Sequence, residues 1–557
     1  MNNLKVISLG GWDGVTANMF LYETDKNILI VDCGIGFPEE EMLGVDLVIP
    51  DISYLLDKKE KIKGIVISHG HEDHVGALSY ILPQLPSVPV FAPRWAKALA
   101  ELKFREFGLN HKVNEFDEKS KINLGDFSLE FIPATHSIPD TYHLVIKTPI
   151  GVFYHAADFK LDLTPVMGKS TDQARIKKIG QDGVFCLLSD CLRAEVPGFT
   201  PSESKLEDVF EREIQNCQGK FFVTTFSSNI SRLKQAIDVS LRHQRKILLV
   251  GRSVKQNIRN ALKLKYIQYP ANIFVTERNL NQYQPQQIAV IIAGAQGQTG
   301  SSLTRLVAGK LRDLEIKPHD KVVFSSDYIP GNETAIYSLI DNLYRLGAEV
   351  SYTDIKSDIH VSGHGCQGDL GKLLQMVNPK YVLPIGGNFR HMAAYKRLAK
   401  EKGYQDNQIL LPDNNQIVEF SQNQVNLNQT IEARKIMVDA LGIGDVGNVV
   451  LRDRKVLAEE GIVVAIITID QTTGNLAGES EIVSRGFVYI KENFAILNGA
   501  KREIAKALGR KRKSPNRQPT AKRDLKFLRT HVQNQLERYF FDQTGRRPMI
   551  LAVIIEA

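Results

Sequence analysis

The chain opens in a strand rhythm. Short apolar runs closed by turn residues recur through residues 1–202: KVISLGG, NMFLYET, NILIVDCG, GIVISHGH, VPVFAP, FSLEFIP, GVFYHAADF and GVFCLLSD. Runs of this length, bounded by Gly, Asp and Pro, predict strands, and helical spacing follows Asp73 and Pro93. Sheets inside and helices outside, a layered α/β domain, is the architecture that fits. From 203 to 353 the rhythm changes. KFFVTTF, RKILLVG, QIAVIIAG, DKVVFSS and AEVSYTD read as strands, each bar the last followed by a helical stretch, which predicts a parallel, doubly wound sheet. Over 354–418 a His- and Gly-rich turn, a helix, the strand KYVLPIGG and a further helix return to the earlier style. The economical reading is an insertion, with 203–353 set inside a domain built from 1–202 and 354–418. Residues 419–449 open on the polar EFSQNQVNLNQT and read as a linker. Residues 450–557 predict a third α/β module with the strands GIVVAIITID, RGFVYIK and MILAVIIEA and two helices. Its basic run 509–523, GRKRKSPNRQPTAKR, reads as an exposed loop, with nucleic-acid contact and plain solubilising charge equally open. No internal repeat is evident.

Composition changes this picture little. A chain of 557 residues is too long for one core. With 43% hydrophobic and 24% charged residues it belongs with globular proteins rather than disordered or fibrous ones. The longest apolar runs are strand-sized, so no membrane span is expected. The opening MNNLKVISLGG lacks a targeting pattern, and a cytoplasmic location is expected. Five scattered cysteines without a CxxC pair (Cys33, Cys186, Cys191, Cys217, Cys366) argue against a disulfide framework and a thiolate metal site. A net charge of +7 permits a polyanionic partner without demanding one.

The chemistry concentrates after the strand GIVI, in Ser68-His69-Gly70-His71-Glu72-Asp73-His74. Imidazoles and a carboxylate crowded on one turn have no packing task there, and they are the donors that zinc-like cations accept at catalytic sites. His136 follows the strand FSLEFIP and Asp158 follows GVFY, both at strand ends, where layered α/β folds place active sites. Alone, each would read as a capping or hydrogen-bonded polar residue; the upstream cluster gives them a metal-binding meaning.

In order and spacing these residues resemble the metallo-β-lactamase superfamily. The resemblance implies an αββα sandwich in which His69, His71 and His136 hold one metal, Asp73 and His74 hold a second, and Asp158 bridges. It also implies that Asp32, closing NILIVDCG, orients ligands from behind. The inserted segment is similar to that of the β-CASP nucleases. Within them the stretch Leu187–Asp190 continuing to PGFTPSE, the stretch HVSGHGCQGDL (360–370), and the later LGIGDVGNVVLRDRKVLAEEGIV and IVSRGFVYI resemble ribonuclease J over essentially the whole chain. That family hydrolyses RNA phosphodiesters 5′ to 3′ from a 5′-monophosphate end and sometimes internally, in RNA maturation and decay. The resemblance implies two divalent ions, zinc with manganese as the alternative, and Asp73 in the catalytic set. His364 would touch the scissile phosphate, Asp190 would be an acid toward the leaving oxygen, and His360, Val361, Ser362 and Gly363 would bind substrate. Ser228 and Asn229 read equally as part of a 5′-phosphate pocket or as a helix N-cap before Ser231. Homodimers or homotetramers, a paralogous subunit and the ribosome are the partners implied besides RNA.

One position breaks the pattern. The family carries a metal-two histidine at a strand end, and the corresponding stretch here is Pro384-Ile385-Gly386-Gly387-Asn388-Phe389-Arg390-His391, with Gly386 in its place and Asn388 replacing a carboxylate. Glycine offers no side-chain donor, so a weaker second site is expected. The turn Gly11-Trp12-Asp13-Gly14-Val15-Thr16-Ala17-Asn18 also departs from a Gly-Glu-Ile-Gly-Lys-Asn type sequence. Two readings follow: a working ribonuclease, supported by the intact cluster, and a catalytically weakened paralogue that binds RNA or a partner subunit, supported by Gly386 and Asn388.

Overall fold

The structure, a computed structural model, describes residues 3–557 apart from 86, 433, 441, 472–474, 489–493 and 510–524. The basic run therefore lies almost wholly outside the described residues. Alternation along the strands builds the first layer pair. Val6, Phe20, Tyr22, Leu29 and Val31 from one sheet meet Leu129, Phe131, Leu144, Ile146 and Phe153 from a second across a shared apolar core, as period-two burial requires. The first sheet, read from one edge, runs Val425–Thr430, Gln416–Phe420, Leu4–Gly10, Met19–Glu23, Ile28–Val31, Ile62–Val66, Val90–Pro93, Val113–Phe116. The second runs Tyr381–Ile385, Cys186–Asp190, Gly151–Ala156, Thr141–Thr148, Phe127–Ala134, Lys121–Leu124. The outward face of the second sheet (Ile132, Val145, Tyr154, Leu187, Val382) is covered by Ile176, Leu370, Leu374, Met392 and Tyr395 of three helices. This is the αββα sandwich the resemblance implies.

The strand pairing shows where the chain leaves and returns. Cys186–Asp190 lies parallel to Tyr381–Ile385, with Asp190 opposite Ile385, although nearly two hundred residues separate them in sequence. Between them the chain forms a separate, wholly parallel sheet in the order Phe274–Val275, Lys246–Val250, Ile288–Ile292, Phe221–Thr224, Lys321–Phe324, Glu349–Ser351. Its strands alternate between two cores. Val223, Ile247, Ile291 and Val323 face helices on one side, while Phe222, Leu248, Val290 and Phe324 face Leu303, Leu339 and Leu343 on the other.

Two local expectations need correction. The polar stretch read as the start of a linker carries a hairpin instead: Gln416–Phe420 pairs antiparallel with Leu4–Gly10, and Val425–Thr430 closes that edge of the sheet. An edge strand facing water needs few apolar residues, so its pattern imitates a linker. The strand expected over 485–491 is found earlier, at Glu481–Arg485. Gly486, at φ +68°, turns the chain out of the extended region there, and part of the expected run lies outside the described residues.

By contacts the chain divides into two compact units, Met1–Gly36 with Ile49–Ile436, and Phe37–Val48 with Met437–Ala557. In the second, Ile462–Ile469 is the middle strand between Glu481–Arg485 and Met549–Glu556. The helices Phe494–Gly509 and Leu525–Thr544 bury Ala500, Ile504, Val532, Leu536 and Phe540 against one face of this sheet.

Candidate metal centre

Strand ends of the two sandwich sheets deliver the candidate residues to one place. Asp32 follows Ile28–Val31, the cluster 69–74 follows Ile62–Val66, and His136 follows Phe127–Ala134. Asp158 follows Gly151–Ala156, Asp190 ends its strand, and Gly386 stands just past Tyr381–Ile385. The turn after Ile62–Val66 fits because Gly34 has no side chain: a Cβ there would collide with the backbone of Asp73.

The donor atoms converge on Asp158. His71 Nδ1 lies 3.1 Å from His69 Nε2 and 3.0 Å from His136 Nε2. Asp158 Oδ2 lies 3.7 Å from His69 Nε2, 3.6 Å from His136 Nε2 and 3.4 Å from His74 Nε2. His74 Nε2 is 3.5 Å from Asp73 Oδ2. Three groups of donors share Asp158: His69–His71–His136–Asp158, Asp73–His74–Asp158 and Asp158–Asp190–His364.

Hydrogen bonds behind the rings decide what these nitrogens present. His136 Nδ1 donates to the Gly363 carbonyl at 2.8 Å, and His74 Nδ1 donates to Asp32 at 2.7 Å. Ser68 gives its hydroxyl proton to Asp32 at 2.8 Å, leaving its oxygen to accept from His69 Nδ1 at 3.0 Å. In neutral rings the inner nitrogens of His69, His136 and His74 are then bare lone pairs. His71 Nδ1 can give a proton to only one of the two ring nitrogens 3.0 and 3.1 Å away, so at least one buried acceptor beside the carboxylate is left without a donor, which is costly without a cation among them. Ligands held at about 2.0–2.1 Å around a tetrahedral ion stand roughly 3.3 Å apart. The residues fit a divalent metal.

Electrostatics agree for the three-histidine group. Burial pulls His69 and His136 well below the ordinary histidine range, and pulls His71 down to about 3, Asp158 countering in part. Burial would raise Asp158, but His74 and His364 hold it well below the usual carboxylate range. Burial also pushes Asp73 up to about 6, against the pull of His74. For His74 burial is outweighed by Asp158, Asp32 and Asp73, which push it well up.

Asp32 is wholly buried, at φ +62°, a left-handed conformation that aspartate tolerates better than most residues. It takes three hydrogen bonds, from Ser68 N, Ser68 Oγ and His74 Nδ1. His364 enters from the other side: its Nδ1 bonds Asp190 at 2.7 Å and its Nε2 lies 3.8 Å from Asp158 Oδ2. Asp190 is 1% exposed and also accepts from Leu192 N, so it sits behind His364 rather than at the open side of the pocket. Burial lowers His364, but Asp190 and Asp158 push it up to about 9. Gly363 fits tightly, because a Cβ there would lie 2.8 Å from the His136 ring.

The remaining candidates are tied together by a residue the sequence did not single out. Arg232 is fully buried; it clamps Glu203 with two 2.9 Å bonds, and also bonds Ser325 O, Val361 O and His360 Nδ1. It thereby joins the helix Ile230–Arg242 to the turn carrying His360–His364. Asn229 caps that helix, accepting from Arg232 N at 3.0 Å, so its side-chain oxygen is spent on the cap; Ser228 is partly exposed beside it. Ser362 Oγ accepts from His364 N. Gly386, at φ +67°, faces the pocket: a Cβ would stand 3.9 Å from Asp158 Oδ1 and 4.0 Å from Asp190 Oδ1. His391, at the end of the same stretch, is not among the donors that converge on Asp158. It lies inside the helix Phe389–Glu401 and closes a capping box with Asn388. A second residue missed from the sequence is Asn18, 1% exposed, whose amide nitrogen lies 3.4 Å from Asp73 Oδ2 and 3.2 Å from His74 Nε2. Its signal, a polar residue in the Gly-rich turn before Met19–Glu23, is too common to find it by.

Known proteins match this architecture segment by segment. Family models match for the metallo-beta-lactamase superfamily over 12–174, the ribonuclease J beta-CASP domain over 218–343, the Zn-dependent metallo-hydrolase RNA specificity domain over 349–412, and the ribonuclease J C-terminal domain over 449–557. Ribonuclease J2 of Bacillus subtilis (strain 168) is 35% identical over 556 residues, 100% of this chain and 99% of the relative. The chain belongs to the ribonuclease J family. Ribonuclease J 1 of Streptococcus pyogenes serotype M3 is 34% identical over 556 residues, 100% of this chain and 98% of that one. Ribonuclease J 2 of Staphylococcus aureus (strain MRSA252) is 33% identical, again across the whole chain and 98% of the relative. A crystal structure of a protein of unknown function from Enterococcus faecalis V583 shares the fold, with a TM-score of 0.52 and 13% identity over 75% of this chain and 100% of that one. This member of the ribonuclease J family has no described helix long and apolar enough to cross a membrane.

Proposed function

We propose that this chain hydrolyses RNA phosphodiesters at a two-metal centre, working 5′ to 3′ from a 5′-monophosphate end with internal cleavage as a second mode. The observation that carries the reading is the convergence of two donor groups on Asp158 with the His364–Asp190 pair at their side. His69, His71 and His136 would hold one ion, Asp73 and His74 the other, with Asp158 shared; zinc suits the first set and manganese is the alternative. What such ions supply is charge neutralisation at the phosphate and a lowered pKa for water.

The chain's own groups do the rest. Asp32 and Gly363 fix the tautomers of His74 and His136 so that lone pairs face inward. His364, held charged by Asp190, donates its Nε2 proton toward the leaving 3′ oxygen. Asp190 is better placed to orient and charge His364 than to meet the leaving oxygen itself. Ser362, with the backbone of 360–364, and Ser228 receive phosphates of the RNA. Decay of end-labelled, 5′-monophosphorylated RNA with added zinc or manganese tests the proposal against an Asp73→Ala, His74→Ala double variant. Metal-dependent release of mononucleotides by the wild type alone is expected; equal behaviour of the two proteins ends the reading.

Gly386 favours a second reading, a weakly catalytic subunit whose main contribution is RNA binding or partnership with a paralogue. Tight RNA binding together with turnover no faster than the double variant would select it.

A further inference from the structure

The second metal position is one imidazole short, and the structure holds a side chain where a donor is wanted. We propose that the amide of Asn18 is a protein ligand of this position, which Gly386 leaves without a side-chain donor; the proposal rests on the two-metal reading above.

Asn18 is built into the same turn as the ligands. Its N–H donates to the Asp73 carbonyl at 3.0 Å and its carbonyl accepts from Gly34 N at 3.0 Å. The side chain is 1% exposed and ends 3.4 Å from Asp73 Oδ2 and 3.2 Å from His74 Nε2. These spacings match those between the other donors, 3.5 Å from His74 Nε2 to Asp73 and 3.4 Å from His74 Nε2 to Asp158. They are also close to the roughly 3.3 Å edge expected for ligands around one small cation. Gly386 looks into the same pocket but brings only a hydrogen, with open space to 3.9 Å.

The end of the amide that faces the ligands here is nitrogen, which also donates to Val15 O at 3.1 Å. The Val15 carbonyl and the Asp73 carboxylate are acceptors, and with no cation at the corner they select an N–H. A half-turn about the last side-chain torsion places Oδ1 at the same corner, because the two ends have nearly the same shape. A cation then replaces a neutral hydrogen bond with a stronger charge–dipole contact. The resulting donor set is one imidazole, two carboxylates and one amide oxygen. It is harder than the three-histidine position and better suited to manganese.

The test is metal uptake by the full chain, read by titration calorimetry and by elemental analysis after dialysis, with zinc and with manganese. The wild type is expected to take two ions. Asn18→Ala keeps the three-histidine ion and weakens the second by at least about tenfold, the scale for losing a group next to a metal. Asn18→Asp, which puts a carboxylate oxygen at the same corner, keeps the second ion or binds it more tightly. Thermal melts of both variants establish that they fold. Two ions of unchanged affinity in Asn18→Ala overturn the proposal. Loss of the second ion in Asn18→Asp as well overturns it too, since Asn18 then serves only as a hydrogen-bond donor to Asp73. A wild type that takes up fewer than two ions at saturating metal sinks the two-metal reading instead.

Discussion

In the proposed mechanism His364 moves the proton, and Asp190 is the neighbour that raises its pKa most. With Asp190 and Asp158 beside it the imidazole is pushed up to about 9 against the pull of burial. A raised histidine is charged below that value and loses its proton as pH climbs through it. If the charged ring donates the proton, activity falls on the alkaline side at or below about pH 9, because ions sharing Asp158 draw the value down. Asp190→Asn removes the neighbour that raises it most, so the alkaline limb of a kcat–pH profile is expected to move to lower pH; an unmoved limb removes His364 from that role. Gly386 offers a second test. Histidine is tolerated at a left-handed φ better than most residues, and the position faces Asp158 and Asp190 with nothing closer than 3.9 Å. Gly386→His should tighten the second ion by about tenfold, on the scale of gaining one donor, and speed RNA decay. An inert substitution would show that the family's histidine belongs elsewhere.

At the scale of elements, the helix Ile230–Arg242 is fastened to the turn 360–364 through Arg232. Its guanidinium is buried and bidentate on Glu203, which is itself 4% exposed. Arg232→Leu leaves that carboxylate with only the weaker contacts of Asn229 Nδ2 at 3.4 Å and Lys160 at 3.8 Å, and strips a donor from two carbonyls. Breaking a buried pair in this way costs about 3–5 kcal/mol, so a clearly lower urea midpoint is expected, with substrate affinity falling as the turn loosens. A midpoint within error of wild type would contradict this account of the fastening. The strands themselves were legible because period-two burial is local. The hairpin of Gln416–Phe420 and Val425–Thr430 was not, because an edge strand half in water carries no apolar signal. Helix caps such as Asn229 look the same in sequence as a phosphate-binding asparagine; the 3.0 Å bond to Arg232 N separates the two.

The whole molecule carries a pH liability in its sandwich core. His143 and His155 are fully buried, each bonded through Nδ1 to a tyrosine hydroxyl. Burial lowers them to about 3 and about 4. Both stay neutral in the fold while the unfolded chain binds protons below about 6.5, so stability is present above that pH and drains away as pH falls toward 4. The slope approaches roughly 1.4 kcal/mol per pH unit for each ring; His143→Gln should flatten it in denaturant titrations between those pH values, and an unchanged slope would exclude His143 as a source. A chelator should also lower the melting temperature, because ions that bind only the folded chain stabilise it by mass action. What the sequence determined by itself was whatever is encoded locally: the strand and helix periods, the run from His69 to His74, the glycine at 386, and the family those motifs identify. Tertiary structure decided the rest, because contact between residues distant in sequence has no local trace. Asn18 against His74, Asp190 behind His364, and Arg232 against residues 360–361 exist only once two sheets and an inserted segment have folded around one pocket.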